Sequence, residues 1–227
     1  MKNDISEIMN AWEYQPNMLI VRKIIGDDGK EKLQIRVNLG ILQMELEGRP
    51  DGKTPRNSES LLDYYHSIID ELKELKGTAR DFVLTDEDMK DLDSEIMQYY
   101  HRRVCLFALK DYTHAKMDAE HNLYLMDIIR EHCKDRDIVE SYEKFRPYVV
   151  MERARAAGLD FISRNDYANA MKYVSEAIEI IEGFYFERGL NEEELRQIHE
   201  LSILKKWRSQ IHQNWEGGIV ESDENPE

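Results

Sequence analysis

A chain of 227 residues can bury a core of its own, and 41% hydrophobic with 34% charged residues suits solvated helices rather than a disordered chain. The net charge of −15 is unevenly placed: residues 1–57 are neutral, residues 216–227 carry −5 and the stretch between them carries −10. So acidic a body repels phosphate backbones, which argues against direct nucleic-acid binding.

Residues 1–11 read as a loose helical turn, after which Trp12 to Pro16 start an extended segment. Two strands are expected next. Met18 to Ile25 is rich in β-branched residues, and Lys32 to Leu39 alternates, with Leu33, Ile35, Val37 and Leu39 on one face and Gln34, Arg36 and Asn38 on the other. Gly26-Asp27-Asp28-Gly29 supplies a turn whose glycines reach positive φ cheaply. An isolated hairpin is marginal in water, so its apolar face needs cover from the helices, from a third strand over Ile41–Leu46, or from a second copy of the chain. Gly48 to Asn57 holds two glycines and two prolines and reads as a linker. It lacks the spacing of a phosphate-binding loop.

From Ser58 the period is helical. Leu61, Leu62, Tyr65, Ile68, Ile69, Leu72 and Leu75 share one stripe that Gly77 stops. Thr85-Asp86-Glu87-Asp88 matches a capping box for a helix running toward Leu109. Its acids suit a helix N-terminus and lack the glycine and twelfth-position glutamate of a calcium loop. Further helices are expected over Asp111–Cys133, Asp137–Phe145, Pro147–Ser163 and Asp166–Glu187. A second capping box, Asn191 to Glu194, opens a last helix carrying Leu195, Ile198, Leu201, Leu204, Trp207 and Ile211. The tail 216–227 is expected to be disordered. The organisation is thus a hairpin module with linker over 1–57, a helical domain over 58–215 and an acidic tail.

Within the helical part, Gly158, Ala170 and Ala177 are small residues where two helices would have to touch, with Phe161, Tyr167 and Val174 filling the volume beside them. Their separations match the eighth, twentieth and twenty-seventh positions of a repeat of about 34 residues, and the stretch Met151–Glu182 resembles a tetratricopeptide repeat. Lys110-Asp111-Tyr112-Thr113-His114-Ala115 echoes Asn165-Asp166-Tyr167-Ala168-Asn169-Ala170 at an offset of 55 residues, although Arg103 and Asn122 stand where glycine and the last alanine would be. The resemblance implies a mainly α fold of stacked helical hairpins, closed by the last helix, with a small N-terminal β-hairpin. It also implies a non-catalytic scaffold whose groove, lined by Tyr99, Arg103, Asn122, Asn169 and Lys172, takes a peptide or helix of another protein.

Other chemistry is thinly marked. His114, Asp118 and His121 share one helix face at i, i+4 and i+7, as three metal ligands would, yet no HExxH or fourth ligand accompanies them and no metal is expected. His199 and His212 are too far apart to share an ion. No Ser, Cys or Lys stands in a nucleophile motif such as G-x-S-x-G, so neither catalysis nor a cofactor is expected. Cys105 and Cys133 lack a CxxC spacing and are expected as reduced thiols. No apolar run approaches the roughly 18 residues of a membrane span. The start, MKNDISEIMNAWEY, lacks the pattern of a secretion signal, giving a cytoplasmic expectation.

Two further readings stay open. KDYTHAKMDAEHNLYLMD is loosely similar to the UVR motif through which the excision-repair proteins UvrB and UvrC associate. Tyr112 and Ala115 match that motif, whereas Ala119 and Glu120 replace its Arg-Asp pair. This resemblance implies an adaptor associated with DNA excision repair. Alternatively, the one-sided strand could make the chain a homo-oligomer assembled through its hairpins.

Overall fold

The computed structural model describes residues 4–217. The chain is mainly helical with a small antiparallel sheet near its start, and it divides after Glu143 into two compact units. Among the described residues, no helix is long and apolar enough to cross a membrane.

The first unit opens with α1 (Ser6–Ala11) and a three-stranded meander, β1 (Ile20–Ile25), β2 (Glu31–Val37) and β3 (Gly40–Glu45), with β2 in the middle. Of the covers considered for the hairpin, a third strand is present, and β2 also rests on a helix, so Leu33 is fully buried within the chain. Leu39 leaves the apolar face: it lies in the two-residue turn between β2 and β3 and is 90% exposed. The polar face of β2 is covered as well. Arg22 donates to Gln34 Oε1 at 2.7 and 2.9 Å, Gln34 donates onward to Gln43 at 2.9 Å, and Lys32 is held by Asp28 and Glu45 at 2.9 and 2.5 Å. The segment after α1 lies over this ladder, with Trp12 stacked at 4.0 Å from the Arg22 guanidinium and its carbonyl accepting from Arg36 Nε at 2.7 Å.

Helices α2 (Leu61–Lys76), α3 (Asp86–Ala108), α4 (Tyr112–His132) and α5 (Arg136–Glu143) complete this unit. Their ends follow local chemistry. Ser60 caps α2, Gly77 ends it in the left-handed region at φ 73°, and both hydrogen bonds of the Thr85–Asp88 capping box form. Leu61, Tyr65, Ile69, Leu92, Leu125 and Ile129 meet in one apolar cluster. The linker is not a boundary. Arg56 bonds to Tyr65, Asp88 and Asp91, and Gln98 donates to Asp51 at 3.3 Å, so residues 48–57 are knitted to the helices and the division falls instead at Glu143.

The second unit contains α6 (Arg146–Ser163), α7 (Tyr167–Phe186), the single turn α8 (Glu192–Leu195) and α9 (His199–Gly217). Pro147 sits in the first turn of α6, where its missing N–H costs nothing. The last expected helix is broken. The Asn191–Glu194 capping box forms, but the chain tightens into i to i+3 bonds at Gln197 and Ile198 before α9 begins. Gly158, Ala170 and Ala177 are all buried, and a Cβ on Gly158 would come within 2.5 Å of the Trp207 indole on α9. The end-closing helix thus packs where the smallest side chain stands. The acidic tail from residue 218 onward lies outside the described residues.

Candidate functional site

The sequence echo is a structural one. In the first unit α3 turns into α4, and in the second α6 turns into α7, through the same local geometry. Lys110 and Asn165 take left-handed φ of 57° and 60°, a conformation asparagine tolerates better than lysine. The following amides, Asp111 N and Asp166 N, donate five residues back to Leu106 O and Phe161 O at 2.8 and 2.9 Å. Asp111 and Asp166 then cap the next helix by accepting from the amides of His114 and Asn169. Ala115 and Ala170, four residues on, are both fully buried.

The interiors differ. Along α3 the buried stripe includes Glu95, Tyr99 and Arg102, and along the facing side of α4 it includes Asp118 and Asn122 with His121 at its margin. Glu95, wholly buried, accepts from the Leu61 and Leu62 amides at 3.0 and 3.3 Å, so it caps α2 from another helix. It also holds His121 Nε2 at 2.9 Å, and the His121 ring lies flat on Tyr99 with centroids 3.5 Å apart. Arg102 grips Asp118 through Nε at 2.9 Å and Nη2 at 2.6 Å, while Nη1 reaches the carbonyls of Glu45 and Gly48 at 3.1 and 2.7 Å. Burial pushes the Asp118 carboxyl up against the opposing pull of Arg102. Burial would lower the pKa of His114, but its bonds to Asp111 at 2.7 Å and Glu47 at 3.0 Å outweigh that and raise it.

These groups border a cavity of about 290 Å³ lined by Leu46, Glu47, Gly48, Glu59, Ser60, Asp63, Tyr99, Arg102, His114, Met117, Asp118 and His121. The three residues with the spacing of a metal face all line it, but each is engaged elsewhere: His114 by Asp111 and Glu47, Asp118 by Arg102, His121 by Glu95. Among the described residues no cluster of three His, Cys, Asp or Glu is arranged to hold an ion. Cys105 is buried, which pushes its thiol up to about 12, and Cys133 is partly buried; both are free thiols.

The five residues expected to line a partner groove fall in both units. Tyr99 borders the cavity. Arg103 and Asn122, 55 residues before Gly158 and Ala177, are only 1% and 2% exposed, and Asn122 donates to the Ile96 carbonyl at 3.2 Å, so neither offers a polar surface to solvent. Asn169 and Lys172 lie exposed on α7, one turn apart. Asn169 donates its side-chain amide back to Asp166 at 2.7 Å, and Lys172 lies 3.9 Å from Glu176 with 67% of its side chain exposed. Glu95, Arg102 and the Glu47–Gly48 segment are neighbours of the cavity that sequence reasoning misses. The signal for Glu95 and Arg102 is the series Glu95, Tyr99 and Arg102 at i, i+4 and i+7 on α3, which matches His114, Asp118 and His121 on α4; the Glu47–Gly48 segment carries none. No family model, curated protein or solved structure matches the chain.

Proposed function

We propose that the chain is a non-catalytic, cytoplasmic interaction scaffold of tetratricopeptide-like helical hairpins, which binds a segment of another protein. The observation that supports this most is the duplicated turn: left-handed Lys110 and Asn165, followed by capping Asp111 and Asp166, with buried alanines at 115 and 170. A helical hairpin repeated within one chain is the unit from which protein-binding arrays are built. The exposed face of α7 around Lys172 is where a partner is sought, since Lys172 has only a weak ion pair there. A photo-crosslinker placed at residue 172 should trap one polypeptide from cell extract, and Asn169→Ala should weaken its capture. A crosslinker that traps nothing but the chain itself would end this reading.

A second reading has one observation in its favour. Met18, Leu19, Ile25, Leu39 and Leu42 are exposed large apolar residues in or beside the sheet, and two copies joined through it would cover them. Light scattering checks this: a dimer that Leu42→Lys converts to monomer supports it, and a monomer in both removes it.

A further inference from the structure

We infer that His114 is a proton-operated latch: with both ring nitrogens protonated it fastens the sheet of the first unit to the start of α4, and on losing one proton it lets go of Glu47. The latch stands whether or not the chain binds a partner. One ring lies between two carboxylates, with Nδ1 at 2.7 Å from Asp111 Oδ1 and Nε2 at 3.0 Å from Glu47 Oε1. Ionised carboxylates only accept, so holding both at once takes a donor on each ring nitrogen, and that is the imidazolium. The helix itself works against this charge. His114 is the third residue of α4, where the helix dipole disfavours a cation, so the two acids hold the proton against the field of the element that carries it.

The two arms of the latch differ in strength. The Asp111 side chain is only 14% exposed and accepts as well from Lys23 of β1 at 2.6 Å; burial works against its charge, but the bonds from Lys23 and His114 hold its carboxyl below the ordinary range. The Glu47 side chain is 76% exposed and, among the described residues, makes no hydrogen bond or ion pair except to His114. When the ring gives up one proton, Asp111 keeps the remaining N–H and a bare lone pair faces Glu47. Nothing then holds that carboxylate. The effect reaches the sheet, because Lys23 lies on β1 and Glu47 follows β3: both outer strands are fastened to the one Asp111–His114 pair, and proton loss unfastens the β3 side alone. Sharing the cavity wall with the ring are Glu59 and Asp63 from the start of α2 and the segment before it, Tyr99 and Arg102 from α3, and Asp118 and His121 further along α4. None of them bonds to it among the described residues: Arg102 is committed to Asp118 and two backbone carbonyls, and His121 is held by Glu95.

The test follows the His114 ring and the Leu46 amide of the full chain by NMR from about pH 5 to about pH 9. Leu46 stands beside Glu47 and donates to the Glu31 carbonyl at 3.4 Å, so its hydrogen-exchange protection reads how firmly the β3 end is held. The expected result is a His114 midpoint above 6.5 and, centred on that midpoint, a roughly threefold loss of Leu46 protection after correction for intrinsic exchange. Glu47→Gln, a change at an exposed side chain, should lower the proton affinity of His114 about threefold and flatten the pH dependence of Leu46 protection. His66→Gln removes an exposed histidine on α2 and should alter neither. A His114 midpoint at or below 6.5, a midpoint unmoved by Glu47→Gln, or Leu46 protection that does not follow the midpoint overturns the latch.

Discussion

In the second hairpin Gly158, Ala170 and Ala177 lie buried where α6 and α7 meet, and the Trp207 indole occupies the space above Gly158. In the first, the positions 55 residues earlier are Arg103, Ala115 and Asn122, equally buried, and the helices around them carry Glu95, Arg102 and Asp118 inside. One turn geometry therefore supports two interiors. The apolar one needs only close approach, and the polar one needs each buried group to find a partner. The polar hairpin also borders the cavity lined by Tyr99, Arg102, Asp118 and His121.

Breaking the polar interior should have the largest effect. Glu95→Ala strips the α2 amides and His121 of their shared acceptor and is expected to cost about 3–5 kcal/mol in urea unfolding, as loss of one partner of a buried ionic cluster does. A cost below about 1 kcal/mol would show that the network is incidental. In the apolar interior the matching change is steric. Gly158→Ala places a methyl 2.5 Å from Trp207 and is expected to destabilise by about 1–3 kcal/mol, a loss that Trp207→Leu in the same chain should largely relieve.

The shared turn offers a subtler contrast. Asp166→Ala removes a helix cap worth about 1 kcal/mol. Both aspartates also meet the side chain three residues on, His114 and Asn169, at 2.7 Å, but Asp111 accepts in addition from Lys23 at 2.6 Å, so Asp111→Ala should cost more than its counterpart; equal costs would mean that the Lys23 contact contributes nothing.

Titration gives a signal of similar size, and it belongs to the first unit. Burial works against the Asp88 charge, but bonds from Thr85, Tyr65 and Arg56 hold its carboxyl at about 2 against an ordinary 3.8. Its contribution, about 1–2 kcal/mol, should be complete above pH 3.8 and fade as the pH falls toward 2. His114 runs the other way: its pKa is raised above 6.5, so its contribution should be complete below pH 6.5 and disappear as the pH rises through the higher folded value. Asp88→Asn and His114→Gln should flatten the acid and the near-neutral limbs of the stability profile, respectively.

Much of this fold is legible in the sequence because helix ends are written locally. Thr85 with Asp88, Asn191 with Glu194, and Gly77 each mark a boundary with residues within three or four positions, and all three form. The small residues at 158, 170 and 177 are legible for the same reason, since spacing alone puts them on facing sides. What escapes is what depends on partners distant in sequence. Glu95 caps a helix that starts 34 residues before it, and Arg102 reaches carbonyls 54 and 57 residues away, so no window along the chain contains both halves of either interaction. Polarity alone sends Arg103 and Asn122 to the surface, whereas both are buried, like the residues 55 positions later. Position in the echo is the better guide.

Crowding at the equivalent alanines tests the duplicated hairpin most directly. Urea unfolding of Ala115→Leu and Ala170→Leu should each show a loss of about 1–3 kcal/mol, while Ala168→Leu, two residues away on the exposed side of α7, should stay within about 0.5 kcal/mol of the parent chain. If Ala115→Leu or Ala170→Leu proves as harmless as Ala168→Leu, the two hairpins do not share a crossing and the scaffold reading loses its foundation.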